Sequence, residues 1–365
     1  MDSNNGIQEV GKFAATYDTN FPRILYELNS TLILTTYQAG RTIFLSSDTG
    51  ERILQIPAGF KKPMGVSILD KKLAIATLDE IHVFSGSEKL AEYYPDNPNT
   101  YDIMYVPRAT YYNGETDLHD LGFGKGGLWA VNTKFSCLAT FDVNYSFNPR
   151  WKPPFISSLA PQDRCHLNGM AMKDQVPAFV TALGTTDTKQ GWREDIISGG
   201  VLMSVPDGEV IVQNLPMPHS PRLYNDQLYV LLSATGDLVR VDIETKSHEK
   251  IVNFPGLIRG MSILGDYAFI GVSKVRESSK TFHKLPVSTM SKKAGIIVVD
   301  LKQRSIVSRF MYDSTVDEIY DVQLLQGYRK PGLITTRDER HKTAISTKSG
   351  AFWINKEKKE NEQTG

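Results

Sequence analysis

The apolar positions of this chain come in short runs, rich in Val, Ile, Leu, Thr and aromatics, and almost every run ends near Gly, Asp, Asn or Pro. Residues 31–37 (TLILTTY), 72–77 (KLAIAT), 127–133 (GLWAVNT), 227–233 (QLYVLLS), 267–273 (YAFIGVS) and 295–301 (GIIVVDL) are examples. Runs of this length and composition, punctuated this way, predict β-strands. Long windows with a 3.6-residue period are missing, so helices are expected only as short insertions.

A loose repeat runs through these strands. A first strand near a Gly or small residue precedes a tight turn and a second strand that ends in Thr or Ser. Residues 64–69 (MGVSIL) precede KLAIAT, 120–123 (DLGF) precede GLWAVNT, and 166–172 (HLNGMAM) precede 177–183 (PAFVTAL). Residues 219–224 (HSPRLY) precede QLYVLLS, and 259–264 (RGMSIL) precede YAFIGVS. Two further units pair 22–28 (PRILYEL) with TLILTTY and 318–325 (EIYDVQLL) with 332–335 (GLIT). Repeated four-stranded units of this size predict an all-β fold, a single β-propeller over residues 12–355, in which each blade covers its neighbours. Seven first strands favour seven blades, with six as the alternative because the last unit is weak. Residues 12–17 (KFAATY) are expected to supply that unit's outer strand. A pair of β-sandwiches accounts less well for so even a strand–turn–strand unit. The polar run 356–365 is expected to be a disordered charged tail.

Composition narrows the function classes. The 365 residues carry 41 Lys+Arg against 41 Asp+Glu, so net charge gives no case for nucleic-acid or membrane-surface binding. Two cysteines, Cys137 and Cys165, make no disulfide framework and suit a reducing compartment. The first residues have no signal-peptide character and no apolar run approaches a bilayer span, so a cytoplasmic protein is expected.

Candidate chemistry lies at the entries to the first strands. His119-Asp120-Leu121-Gly122 and His166-Leu167-Asn168-Gly169 superpose as H-x-x-G, His219 has the same offset, and Glu318 puts a carboxylate there in the last unit. First strands line a propeller's channel, so His119, His166, His219 and Glu318 are expected to converge as ligands of a divalent metal: Fe, Zn, Mn or Cu. Asp120, Asp321 and Asn168 are candidates to orient the imidazoles, and Arg164, Arg222 and Arg259 to hold an anionic group. Two other readings compete: each His caps a strand by bonding a nearby carbonyl, or the histidines are acid–base groups without a metal. Cys165 is expected to turn away from the channel, and the glycine-rich 122–127 reads as a hairpin turn. Trp192 and Arg193, in the long insertion 184–200, are candidates to contact a ligand.

Several of these motifs are long. TTYQAG (35–40), PMG (63–65), LW (128–129) with NT (132–133), DRCHLNG (163–169), GWR (191–193) and MPHSPR (217–222) resemble a bacterial family of conserved hypothetical proteins, over roughly residues 21–331. The resemblance implies a propeller-like fold and no particular activity. Metal-dependent propeller enzymes such as carotenoid oxygenases and lactonases are similar only in concept, without a motif match. The leading expectation is a metal-dependent enzyme, with Arg222, Arg259, Asp120 and Asn168 assisting on a small-molecule or peptide substrate. The alternative is a non-catalytic propeller that recognises a protein or peptide through aromatics of residues 105–112.

Overall fold

The computed structural model describes residues 13–275, 282, 284–290 and 292–354, together with the backbone of Gly6–Gln8. The polar tail expected from residue 356, and Lys12, lie outside the described residues. Six antiparallel blades close into a ring whose inner strands touch in succession. Those inner strands are Asp321–Gln326 in blade 1, Val66–Leu69 in blade 2, Leu118–Gly124 in blade 3, Leu167–Lys173 in blade 4, Pro218–Tyr224 in blade 5 and Leu257–Leu264 in blade 6.

The count is six, not the favoured seven, because two expected units are halves of one blade. Asp321–Gln326 pairs antiparallel with Ser30–Thr36, so the C-terminal part of the chain supplies the inner strand and the N-terminal part the other three strands. Residues 22–28, taken above as a first strand, belong instead to helix α1 (Asn20–Glu27). Phe21, Ile24 and Leu25 recur at i, i+3 and i+4 and are buried together, a helical face that a strand could not present. Pro22 sits in the first turn, where its missing N–H costs no hydrogen bond. The Asp18 carboxylate caps the start by accepting from the Asn20 and Phe21 amides, and also from Ser308 Oγ and the Arg309 amide.

The outer strand expected from residues 12–17 is real but joins a different blade. Ala15–Tyr17 pairs with Ser305–Tyr312 and extends blade 6. Pro331–Leu333 adds in parallel to blade 2, beside Ile103–Tyr112. That last segment is a strand rather than an aromatic loop: Tyr105 is fully buried, and Tyr112 is 74 % exposed. The glycine-rich 122–127 forms the expected hairpin turn, and Cys165 packs in the core beside Leu167 and Val180, away from solvent. No helix of the described residues is long and apolar enough to cross a membrane.

The ring is closed at two seams, the blade 1 ladder and the apolar layer where α1 packs between blades 6 and 1. Phe310 is fully buried there, its ring 5.2 Å from Phe21, 5.8 Å from Tyr17 and 5.1 Å from Tyr312. Replacing Phe310 with Ala should cost about 3–5 kcal/mol, as large-to-small core changes of aromatics do. Urea unfolding monitored by tryptophan fluorescence measures it; a loss below about 1 kcal/mol would mean that α1 does not seal the ring.

Candidate functional site

The channel has a floor. Arg222, from blade 5, donates through Nη1 to Asp120 Oδ2 (2.9 Å), and its Nη2 lies 3.4 Å from Asp321 Oδ1. Its Nε donates to the Met261 carbonyl and Nη1 to those of Met170 and Pro221. Asp120 accepts in turn from the amides of Leu121 and Met170, and Asp321 from those of Val66 and Val322. One guanidinium and two carboxylates thus touch the inner strands of all six blades. Burial opposes the charge on Arg222, but the two carboxylates outweigh it and hold the guanidinium above its ordinary pKa. Burial, reinforced by Asp120, pushes the Asp321 carboxyl up to about 7. Asp120 and Arg222, expected to assist on a substrate, are therefore satisfied within the protein. Asp120 and Asp321 accept from a guanidinium and amides rather than from an imidazole.

Above this floor the inner strands present one residue each at the same level. His119, Asn168 and His219 are the second residues of their strands, immediately before Asp120, Gly169 and Ser220. Close backbone approaches set Gly65 against Asp120, Gly169 against Ser220 and Gly260 against Asp321, so the residues just before them, Met64 in blade 2, Arg259 in blade 6 and Tyr320 in blade 1, stand at the same level. The H-x-x-G alignment is therefore out by two residues in blade 4, because Gly169 stands at the level of Asp120 and not of Gly122. Asn168, not His166, is the counterpart of His119; His166 lies just before its strand. Tyr320, not Glu318, precedes the carboxylate of blade 1 that matches Asp120.

Each imidazole is tied by its Nδ1. In His119, Nδ1 lies 3.2 Å from the Asp117 carbonyl and 2.8 Å from Thr133 Oγ1, whose own proton goes to the Leu167 carbonyl. In His219, Nδ1 lies 3.1 Å from the Met217 carbonyl and 2.9 Å from Ser233 Oγ, whose proton goes to the Ile258 carbonyl. Because each hydroxyl proton is committed and the other partner is a carbonyl, Nδ1 must carry the ring proton. His166 Nδ1 lies 3.0 and 3.1 Å from the two oxygens of Asp163, and Trp192 Nε1 donates to the same carboxylate. In the neutral rings, Nε2 is therefore the lone-pair nitrogen in all three. Burial, with the nearby Arg259, holds His119 and His219 well below the usual histidine pKa, so both stay neutral. Strand capping by the histidines is thus real, but it uses only one nitrogen of each ring.

The rings form a connected wall. His166 meets His119 edge-on at 4.8 Å, His119 lies 5.4 Å from Tyr320, and Trp192 lies 4.3 Å from His166 on the other side. Arg193 covers Trp192, so the 184–200 insertion does reach the mouth. Arg164 pairs with Asp187 and holds that insertion down rather than facing the channel. Arg259 lies flat on Tyr320, 3.4 Å from its ring centroid, with Glu318 at 3.8 Å. Asp117, Asp163, His166, Met217 and Ser220 all have positive φ, an uncommon conformation for these residues that concentrates around the mouth. Among the described residues, no group of three or more His, Cys, Asp or Glu side chains is arranged to hold a metal ion. The four-ligand expectation for His119, His166, His219 and Glu318 therefore gains no support from the geometry.

Asp163, Thr133, Ser233 and Tyr320 escaped the sequence reading as site residues. Thr133 and Ser233 did carry a signal, the repeated Thr or Ser at the end of second strands. A groove of about 820 Å³ at the outer edge of blade 5, around Arg240, His248 and Glu249, lies apart from His119, His166 and His219, and Arg240 and Glu249 are ion-paired across it.

The model of a family described as a domain of unknown function (DUF4915) matches residues 19–334, so the chain belongs to that family. A chain of a crystal structure of a nidogen/laminin complex is similar in fold, with a TM-score of 0.50, 10 % sequence identity, and coverage of 82 % of this chain and 99 % of that one. At that identity the likeness shows the propeller alone. No curated protein matches the chain.

The floor makes a sharp prediction. Replacing Arg222 with Met leaves two buried carboxylates without their cation and should cost about 3–5 kcal/mol. The effect of Asp321 depends on pH. Its folded pKa is raised, so the folded state holds a proton that the unfolded state releases near pH 4, and this contribution to stability is lost as pH rises from about 4 to 7. Asp321→Asn removes that dependence. In melts recorded from pH 5 to pH 8, the variant should improve relative to wild type as pH rises, and a constant difference would place the proton elsewhere.

Proposed function

We propose that this DUF4915 propeller is an enzyme that moves protons on a small polar molecule bound in the channel mouth, with His166 as the acid–base residue and Asp163 as its positioning partner. The supporting observation is the shared state of the three imidazoles, each with Nδ1 tied to the protein and its Nε2 lone pair available. His166 suits the reacting role best: its partner is a carboxylate, and its side chain keeps 15 % exposure. Asp163 fixes the tautomer and stabilises the imidazolium formed when Nε2 takes a proton. His119 and His219, held neutral by burial, accept hydrogen bonds from the substrate rather than shuttling protons.

On this reading the group of Arg222, Asp120 and Asp321 lies across the channel on one side of this layer, and the substrate is bound on the other side. A small molecule fits that shape better than a threaded peptide.

A second reading keeps the expected divalent metal. It is favoured by the same Nδ1–H contacts, because ligating imidazoles commonly donate their other nitrogen to a carbonyl or carboxylate. His119, His166 and His219 would have to draw together from the arrangement described above to hold an ion able to polarise a substrate oxygen. Metal analysis of protein purified without an affinity tag separates the two readings: near-stoichiometric metal that disappears in His119→Ala supports the metal centre.

The proton-transfer reading is tested by turnover. A panel of small esters, lactones and organic acids, followed by NMR in deuterated buffer, should reveal product formation or C–H exchange. His166→Asn and Asp163→Asn should each lower it by about 10²-fold or more, in line with general acid–base contributions. His248→Asn, on an outer strand of blade 5, should leave it unchanged. Equal activity in His166→Asn would remove that residue from the chemistry.

A further inference from the structure

We propose that the mouth is built for a small hydroxy acid: Arg259, Tyr320 and Asn168 receive its carboxylate, and the imidazole Nε2 atoms receive its hydroxyl. This deepens the reading above and rests on it for the hydroxyl half.

The carboxylate half stands on three donors without partners. Tyr320 and Asn168 are each 4 % exposed, and Tyr320 Oη and Asn168 Nδ2 have no hydrogen-bond partner in the protein. Arg259 Nη2 is buried in the same condition. A buried donor left unsatisfied costs about 1–3 kcal/mol. Three such donors share the level of His119 and His219, on blades 1, 4 and 6. Arg259 and Tyr320 are in contact, so one carboxylate can receive from both, and Asn168 is the matching donor on blade 4. Asn168 is already oriented, since Thr181 Oγ1 donates to its Oδ1 and leaves Nδ2 as the remaining donor group. The Tyr320 ring lies 3.4 Å from the Arg259 guanidinium carbon and holds the fork in place, and a fixed fork is how arginine best meets a carboxylate.

The hydroxyl half follows from the acceptors. The Nε2 lone pairs take a hydrogen bond from a donor, and a neutral hydroxyl is the donor that leaves them neutral. Charge limits the size of the acid. Glu318 beside Arg259 and Asp117 beside His119 are carboxylates, so a polyphosphate or polycarboxylate meets repulsion where a single carboxylate does not. Met64, on blade 2, is the apolar member of the level and is buried, which suits a short carbon skeleton.

Iodoacetate tests both halves, because it carries the carboxylate and places an electrophilic carbon where the hydroxyl carbon would lie. Attack by Nε2 forms the N–C bond and expels iodide, giving a carboxymethyl-imidazole that peptide mass spectrometry locates. The two cysteines compete poorly, since both are fully buried and burial pushes their thiols up to about 12. The expected result is alkylation of His166 or His119 by iodoacetate at least about tenfold faster than by its neutral analogue iodoacetamide. Glycerate should protect against it at lower concentration than propionate does. Arg259→Gln should abolish the preference for iodoacetate, and Tyr320→Phe should reduce it several-fold; a melting curve first establishes that each variant is folded. The competition measurement needs no variant.

Equal rates with the two reagents would overturn the carboxylate assignment while leaving the free lone pairs intact. Equal protection by glycerate and propionate would overturn the hydroxyl assignment. If neither reagent labels an imidazole, the Nε2 lone pairs are closed off, and this proposal fails together with the acid–base reading beneath it.

Discussion

The contact on which the rest depends is the single guanidinium of Arg222, set between Asp120 and Asp321 at the centre of the ring. A propeller's blades pack side by side on apolar faces, and apolar packing is non-directional. Such packing fixes that the blades touch, but not the height at which each inner strand stands. Charged hydrogen bonds from one side chain to strands of several blades fix that height, because each has a narrow range of length and angle. Buried charge is a poor source of net stability when compared with well-packed apolar groups. Its value here is register: the six strand entries are held at one level, and the level above them becomes a defined surface.

A second device carries the register outward. The second strands of blades 3, 5 and 6 end in Thr133, Ser233 and Ser273, and each hydroxyl donates to a carbonyl at the entry of the next inner strand. In blades 3 and 5 that hydroxyl oxygen also meets the Nδ1 of the blade's own histidine. One side chain thus ties two blades together and sets an imidazole tautomer. That level is an extension of the bonds that hold the ring in register: His119, Asn168, His219 and Arg259 sit on inner strands, and His166 and Tyr320 stand immediately before them. The positive-φ residues at the strand entries are compatible with this, since strain at those positions persists only where the surroundings fix the backbone.

Much of this was legible along the chain, and the failures have physical causes. Alternating short strands, the first-strand repeat and the terminal Thr or Ser of the second strands are local features, so they predict a propeller from sequence alone. The seventh blade was an error of closure: Asp321–Gln326 and Ser30–Thr36 look like two weak units because their pairing spans almost the whole chain. Residues 20–27 were too short for a helical period to stand out beside so many strands. The displaced histidine alignment came from matching Gly122 to Gly169, two glycines at different levels of their strands. His166 was found by residue type, but its partner Asp163 and its neighbour Trp192 come together only through the turn before blade 4 and the long insertion. Tyr320 was invisible as a site residue, since an unmatched hydroxyl is a property of its surroundings.

The charged group at the centre also shapes the chemistry beside it. Burial keeps His119 and His219 neutral, and the Arg259 cation nearby reinforces that state. A proton taken up at the mouth then has two routes away. One is back through the mouth with the product. The other runs along the His166 ring toward Asp163, where the Trp192 N–H already occupies one carboxylate oxygen. On the proton-transfer reading proposed above, Asp163 orients the His166 ring, and the proton returns from Nε2 to the same bound molecule. Chemistry of that kind needs no throughput of protons across the ring, which is consistent with a channel whose centre is filled by an arginine.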